Sequence, residues 1–154
     1  MSSLVIFDSI FGNTEQIARA IAKGLGADTQ CLRAGSASIA QIGAAGLIII
    51  GSPTRAFAAT PALMSLLNAI PAGALAGKRV AAFDTRMQLD GVKGVFFKKI
   101  IDRGGYAAPI IAKRLTAKGG ELCVPAEGFF VKGEEGPLVN GELERAEAWA
   151  KQLV

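Results

Sequence analysis

The sequence predicts an α/β fold: a three-layer, doubly wound sheet of five parallel strands with helices on both faces. Three observations carry this. Along the 154 residues, short apolar runs alternate with segments whose apolar residues recur at helical spacing, in the order β-α-β-α-β-α-β-α-β-α. The strongest runs are continuously apolar, as in parallel strands covered on both faces. The connections are short, with no linker and no internal repeat, so residues 1–154 read as one domain.

Leu4–Phe7 is the first strand. Residues 13–24 form a helix with Ile17, Ala18, Ile21 and Leu25 on one stripe, ended by Gly24 and Gly26. Thr29–Leu32 is a short second strand, and Ile39 and Ile42 fit a brief helix. Leu47–Ile50 is the third strand, and Pro61 opens a helix carrying Leu63, Leu66, Leu67 and Ile70 that stops at Pro71. Lys78–Phe83 is the fourth strand. Val92, Val95, Phe96 and Ile100 make a helical pattern broken at Gly104-Gly105, and Ile110, Ile111 and Leu115 make another that stops at Gly119-Gly120. Glu121–Val124 and Phe129–Val131 are strand-like pieces, the stretch from Pro125 to Leu138 being an ordered excursion over the sheet edge. The last helix begins near Gly141 and uses Leu143, Ala146, Ala150 and Leu153, with Trp149 capping the core.

Composition removes several function classes. Hydrophobic residues make up 51% of the chain, which excludes disorder. There is no histidine, so Ser-His-Asp and Cys-His catalysis and His-ligated metals are excluded. Two cysteines are too few for a disulfide scaffold or a Cys-rich cluster. The net charge of +4 is unevenly placed: residues 78–120 hold ten basic against three acidic side chains. With only 6% aromatic residues for base stacking, that lobe reads as solvated helix faces before it reads as a nucleic-acid site. Met1-Ser2-Ser3 runs directly into Leu4 without a basic leader, and no apolar run approaches the ~20 residues that span a bilayer. A reduced, cytoplasmic protein is expected, without membrane or nucleic-acid contacts.

In open α/β sheets ligands bind beyond the carboxyl ends of the strands. There the first strand is followed by Asp8-Ser9-Ile10-Phe11-Gly12-Asn13-Thr14, with the helix opening at Glu15. Hydroxyls, an amide and a glycine directly before a helix N-terminus suit a phosphate; equally, Asn13 or Thr14 could be a plain N-cap. The GxGxxG dinucleotide fingerprint is missing here. So is the acidic cluster of a phospho-receiver, whose acceptor position after the third strand holds Ser52-Pro53.

The run from Val5 to Ile21 resembles the flavodoxin signature at every constrained position. The resemblance implies the strand order 2-1-3-4-5 and an FMN cofactor, with Ser9, Ile10, Phe11, Gly12, Asn13 and Thr14 around its phosphate. Phe11 would act through its backbone, where many flavodoxins have Thr. Gly51-Ser52-Pro53-Thr54-Arg55-Ala56-Phe57-Ala58 resembles the loop that holds the ribityl chain and one ring face, implicating Pro53, Thr54, Arg55, Ala56 and Phe57. Phe57 either stacks on the ring or packs into the core. The loop from Asp84 to Gly91, with Asp84, Thr85 and Arg86, corresponds to the one that usually brings an aromatic to the other face, and it has none.

Flavodoxins are typically acidic, whereas Arg55 and Arg86 would here flank the ring and stabilise the reduced anion, unless either points to solvent or pairs with Asp84 or Asp90. No catalytic side chain and no metal are implied; Asp84 with Asp90 alone is a weak metal pair. In this strand order Cys31 and Cys123 lie at opposite edges, as buried thiols out of reach of a disulfide. Three functions follow: an FMN electron carrier meeting an acidic redox partner; an FMN-dependent NAD(P)H-quinone-type oxidoreductase; and an interaction module that has lost its flavin.

Overall fold

The structure, a computed structural model, describes residues 2–55, 58–87 and 105–154. The order is β1 (Ser3–Phe7), α1 (Asn13–Leu25), β2 (Thr29–Arg33), a 3₁₀ turn (Ala34–Ser36), α2 (Ile39–Ala44), β3 (Leu47–Pro53) and α3 (Pro61–Ala69). Then come β4 (Arg79–Met87), α4 (Ala107–Ala117), β5 (Glu121–Leu122), β6 (Glu127–Val131) and α5 (Glu142–Lys151). The sheet runs β2-β1-β3-β4-β5, with every strand pair parallel, and β6 also pairs with β4. The predicted 2-1-3-4-5 order is therefore observed. The helical pattern at Val92–Ile100 lies outside the described residues.

Alternation along the strands sorts the core into two layers. Leu4 and Ile6 face a cluster with Ile42, Leu63, Leu67, Ile111 and Leu115 from α2, α3 and α4. Val5 and Phe7 face Ile17 and Ile21 of α1 and Trp149 and Ala150 of α5. In this second layer Phe83, Phe129 and Trp149 pack edge-to-face, with centroids 5.9–6.4 Å apart. Gly51 of β3 leaves the space that the Phe83 ring fills.

The fifth strand position departs from expectation. Its first piece is only Glu121–Leu122, paired with Arg79 and Val80. After a break over residues 123–126, Glu127–Val131 returns as a true sheet strand, paired with Phe83–Met87. The predicted excursion is thus confined to the turn beyond Val131, which closes through an antiparallel bridge between Val131 and Leu138. Because β6 and the end of β3 supply partners for its second half, β4 continues four residues past Phe83. Asp84, Thr85 and Arg86 are strand residues, not loop residues.

Two smaller expectations are corrected. Leu143 is exposed, because the buried face of α5 runs through Glu142, Ala146, Trp149 and Ala150. Cys31 and Cys123 are free but only half-buried, since both lie at sheet edges. Among the described residues no helix is long and apolar enough to cross a membrane, and no three His, Cys, Asp or Glu groups converge as a metal site.

Candidate functional site

At the carboxyl ends of β1, β3 and β4 the surface opens into a cleft of about 600 Å³, within the range of small-ligand sites. Its floor begins with the turn after β1. Gly12 adopts φ 93°, which only glycine takes without strain, and caps α1 with no side-chain bond. Neither Asn13 nor Thr14 is the cap. Instead Ser9 Oγ accepts the N–H groups of Gly12 (3.1 Å) and Glu15 (3.3 Å), drawing the turn around itself. The N–H groups of Phe11, Asn13 and Thr14 have no protein acceptor among the described residues. They sit at the positive end of the α1 dipole.

The hydroxyls around this turn retain capacity. Thr14 Oγ1 and Thr85 Oγ1 lie 2.8 Å apart, both buried, and join the first loop to β4. One of the two donates to the other, which leaves one proton to give. Ser9 accepts twice and keeps its own proton. Asn13 is buried and donates from Nδ2 to the Glu135 carbonyl (3.1 Å), so the turn after β6 rests on the first loop.

The second wall is the turn after β3. Thr54 N–H donates to the Thr85 carbonyl, and Arg55 and Ala58 exchange main-chain bonds of 2.9 Å. Pro53, Thr54 and Arg55 line the cleft. Ala56 and Phe57 lie outside the described residues, as does Asp90.

The arginines are not unpaired cations. Arg55 lies 5.6 Å from the Phe11 ring centroid and pairs with Glu134 at 3.4 Å. Arg86 makes two 2.7 Å bonds to Asp84, which is fully buried and does not itself line the cleft. Burial pushes the Asp84 carboxyl above its ordinary range, opposed by Arg86, the Ala108 N–H and Thr54. Arg86 therefore follows the paired alternative, whereas Arg55 has a partner, Glu134, that the sequence reading did not consider.

Sequence reading missed Met87, Val131, Glu134 and Arg33. The first three line the cleft because β6 and its turn come beside β4. The available signal was the short apolar, β-favouring run Phe129-Phe130-Val131, which the structure shows as a strand buried, half-buried and buried in turn. Arg33 ends β2 on the same sheet edge and donates to the Ser9 carbonyl (3.0 Å) and to Glu15 (3.0 Å). Its position beyond a strand's carboxyl end was itself a signal.

Solved structures match this arrangement along almost the whole chain. An archaeal flavodoxin is 18% identical with a TM-score of 0.75, covering 99% of this chain and 96% of its own. The chain adopts the flavodoxin fold. Oxidised flavodoxin 1 from Bacillus cereus is 17% identical with a TM-score of 0.76, covering 99% of this chain and 97% of that one. Rubredoxin oxygen:oxidoreductase from Desulfovibrio gigas is 20% identical with a TM-score of 0.75, and this chain spans 35% of its length. By sequence, no protein-family model and no curated protein matches.

Proposed function

We propose that the chain binds FMN and passes electrons between redox partners, as a cytoplasmic carrier. The observation that carries this reading is the turn Ser9–Thr14. It presents the uncommitted N–H groups of Phe11, Asn13 and Thr14 and, together with Thr85, two hydroxyl protons at the N-terminus of a 13-residue helix, opening onto a cleft. That donor set suits a phosphate dianion. The ring would meet apolar surface: Ile10, Phe11 and Met87 are 50%, 44% and 53% exposed, large values for such residues, and all three line the cleft. The flavodoxin fold of the neighbours supports the same assignment. When bound, FMN would supply reversible one- and two-electron transfer; the chain's residues hold its phosphate, cover its ring and exclude water.

Reconstitution tests the reading. Full-length protein titrated with FMN should quench flavin fluorescence at one equivalent and turn yellow. Riboflavin, lacking the phosphate, should bind at least roughly tenfold more weakly, and Thr14→Val should weaken FMN by about tenfold through loss of one charge-assisted bond. Equal binding of FMN and riboflavin would remove the phosphate cradle from the proposal.

A second reading, an interaction module without flavin, is favoured by the ties already present: Asn13 to Glu135 and Arg55 to Glu134. A protein that stays colourless with excess FMN selects it.

A further inference from the structure

The proposed function leaves one buried cluster unused. Asp84 holds Arg86 side-on, Nε donating to Oδ1 and Nη2 to Oδ2. The guanidinium carbon lies 3.5 Å from the Tyr106 ring centroid, a stacking distance. Against it the backbone of β6 closes at Gly128, where any Cβ would overlap the guanidinium. Asp84 is fixed in turn by the Ala108 N–H at 2.9 Å, at the first turn of α4, while Thr54 Oγ1 accepts the neighbouring Ala107 N–H. Of the three guanidinium nitrogens, Nη1 is without a partner among the described residues. Arg86 nevertheless lines the cleft, with 17% of its side chain exposed.

We infer that Arg86 determines which ring the cleft accepts: its Nη1 is a preorganised donor to a carbonyl or deprotonated ring nitrogen of the bound heterocycle, the acceptor pattern of a pyrimidinedione. The inference rests on the flavin reading and adds the residue that reads the ring. A surface arginine must lose rotamer freedom to bind a ligand; this one is already held on two nitrogens and by its stacking partner. Its counter-charge lies buried behind it, so the cleft faces the positive end of the pair. Attraction to the ligand therefore grows as the ligand gains negative charge.

The test uses the full chain loaded with FMN. Arg86→Gln alone strands Asp84 as a buried carboxylate, so the double variant Asp84→Asn/Arg86→Gln is made beside it, and folding is checked by thermal melting. Two quantities are measured: the Kd for FMN, and the midpoint potential of the couple that yields the fully reduced flavin anion. The folded double variant is expected to bind FMN roughly tenfold more weakly, with that potential shifted to more negative values. Arg86→Lys keeps the charge and loses the fork, so it should recover the potential more than the affinity. Affinity and potential both unchanged in the folded double variant would overturn the role of Arg86 and leave the flavin reading standing. Wild-type protein that binds no FMN would overturn both.

Discussion

Glu142 shows what a single residue does for the cleft from a distance. It opens α5, is buried, and accepts the Phe130 N–H at 2.8 Å, so it ties the helix to β6. Burial acts to raise its carboxyl, but Arg145 and the Phe130 N–H outweigh this and leave it below the ordinary glutamate value. A carboxylate held low in the folded state stabilises the fold at pH values above its unfolded value, about 4.3, and that contribution is lost as pH falls through the folded value. Glu142→Gln should therefore be less stable than wild type near neutrality, by about 1–3 kcal/mol. The gap should narrow in denaturant melts below about pH 4.3. A gap independent of pH would assign the effect to packing. Asp84, held high by burial, has the opposite sign: its contribution is present at low pH and falls as pH rises. At this scale type and spacing marked Ser9, Gly12 and Thr14 as a strand–helix junction but left a cap and an anion turn equally open; the structure makes Gly12 the cap. Glu134 was not legible, because a charged residue far along the chain signals nothing until the fold places it.

Among the elements, the close approach of α1 and α5 depends on Gly24. A Cβ there would lie 2.5 Å from the Glu147 carbonyl oxygen and 2.9 Å from the Ala150 Cβ. Ala in place of Gly gains about 1 kcal/mol of helix propensity, but overpacking against backbone costs about 1–3 kcal/mol. Gly24→Ala should lower Tm by a few degrees, whereas Gly43→Ala, in α2 with open space around it, should hold or raise it. Thermal melts of the two variants check the pair; a Gly24→Ala protein as stable as Gly43→Ala would mean the helices separate at little cost. The element order was legible from the apolar runs, and most boundaries agree within two residues. β3 runs three residues past its predicted end, and β4 departs most. Its apolar run ends at Phe83, and the extension over Asp84-Thr85-Arg86 is set by pairing with Ser52 and Pro53 of β3 on one side and with β6 on the other.

For the whole molecule, the net charge of +4 keeps an acidic redox partner within the proposal. Part of the basic lobe is already engaged: Lys78 Nζ donates to the Gly43 and Ala45 carbonyls at 2.8 Å, Arg86 pairs with Asp84, and Arg114 donates to Asn68. The remaining charge should still steer an acidic one-electron partner. Stopped-flow association rates should then fall as ionic strength rises from about 0.05 to 0.3 M. Rates indifferent to salt would remove the charge from partner choice.

The sequence by itself determined the layers and the position of the Ser9–Thr14 turn, because each rests on periodicity or on residues adjacent in the chain, while the strand order came from the flavodoxin resemblance. Only the tertiary structure decided how the charges and hydroxyls of the cleft are spent. Arg55 finds Glu134, and Thr14 finds Thr85 across 71 positions. Arg86 is locked onto Asp84 under Tyr106 and the β6 backbone. Such pairings leave no local pattern, since a side chain's partner is set by which strand ends the sheet brings together.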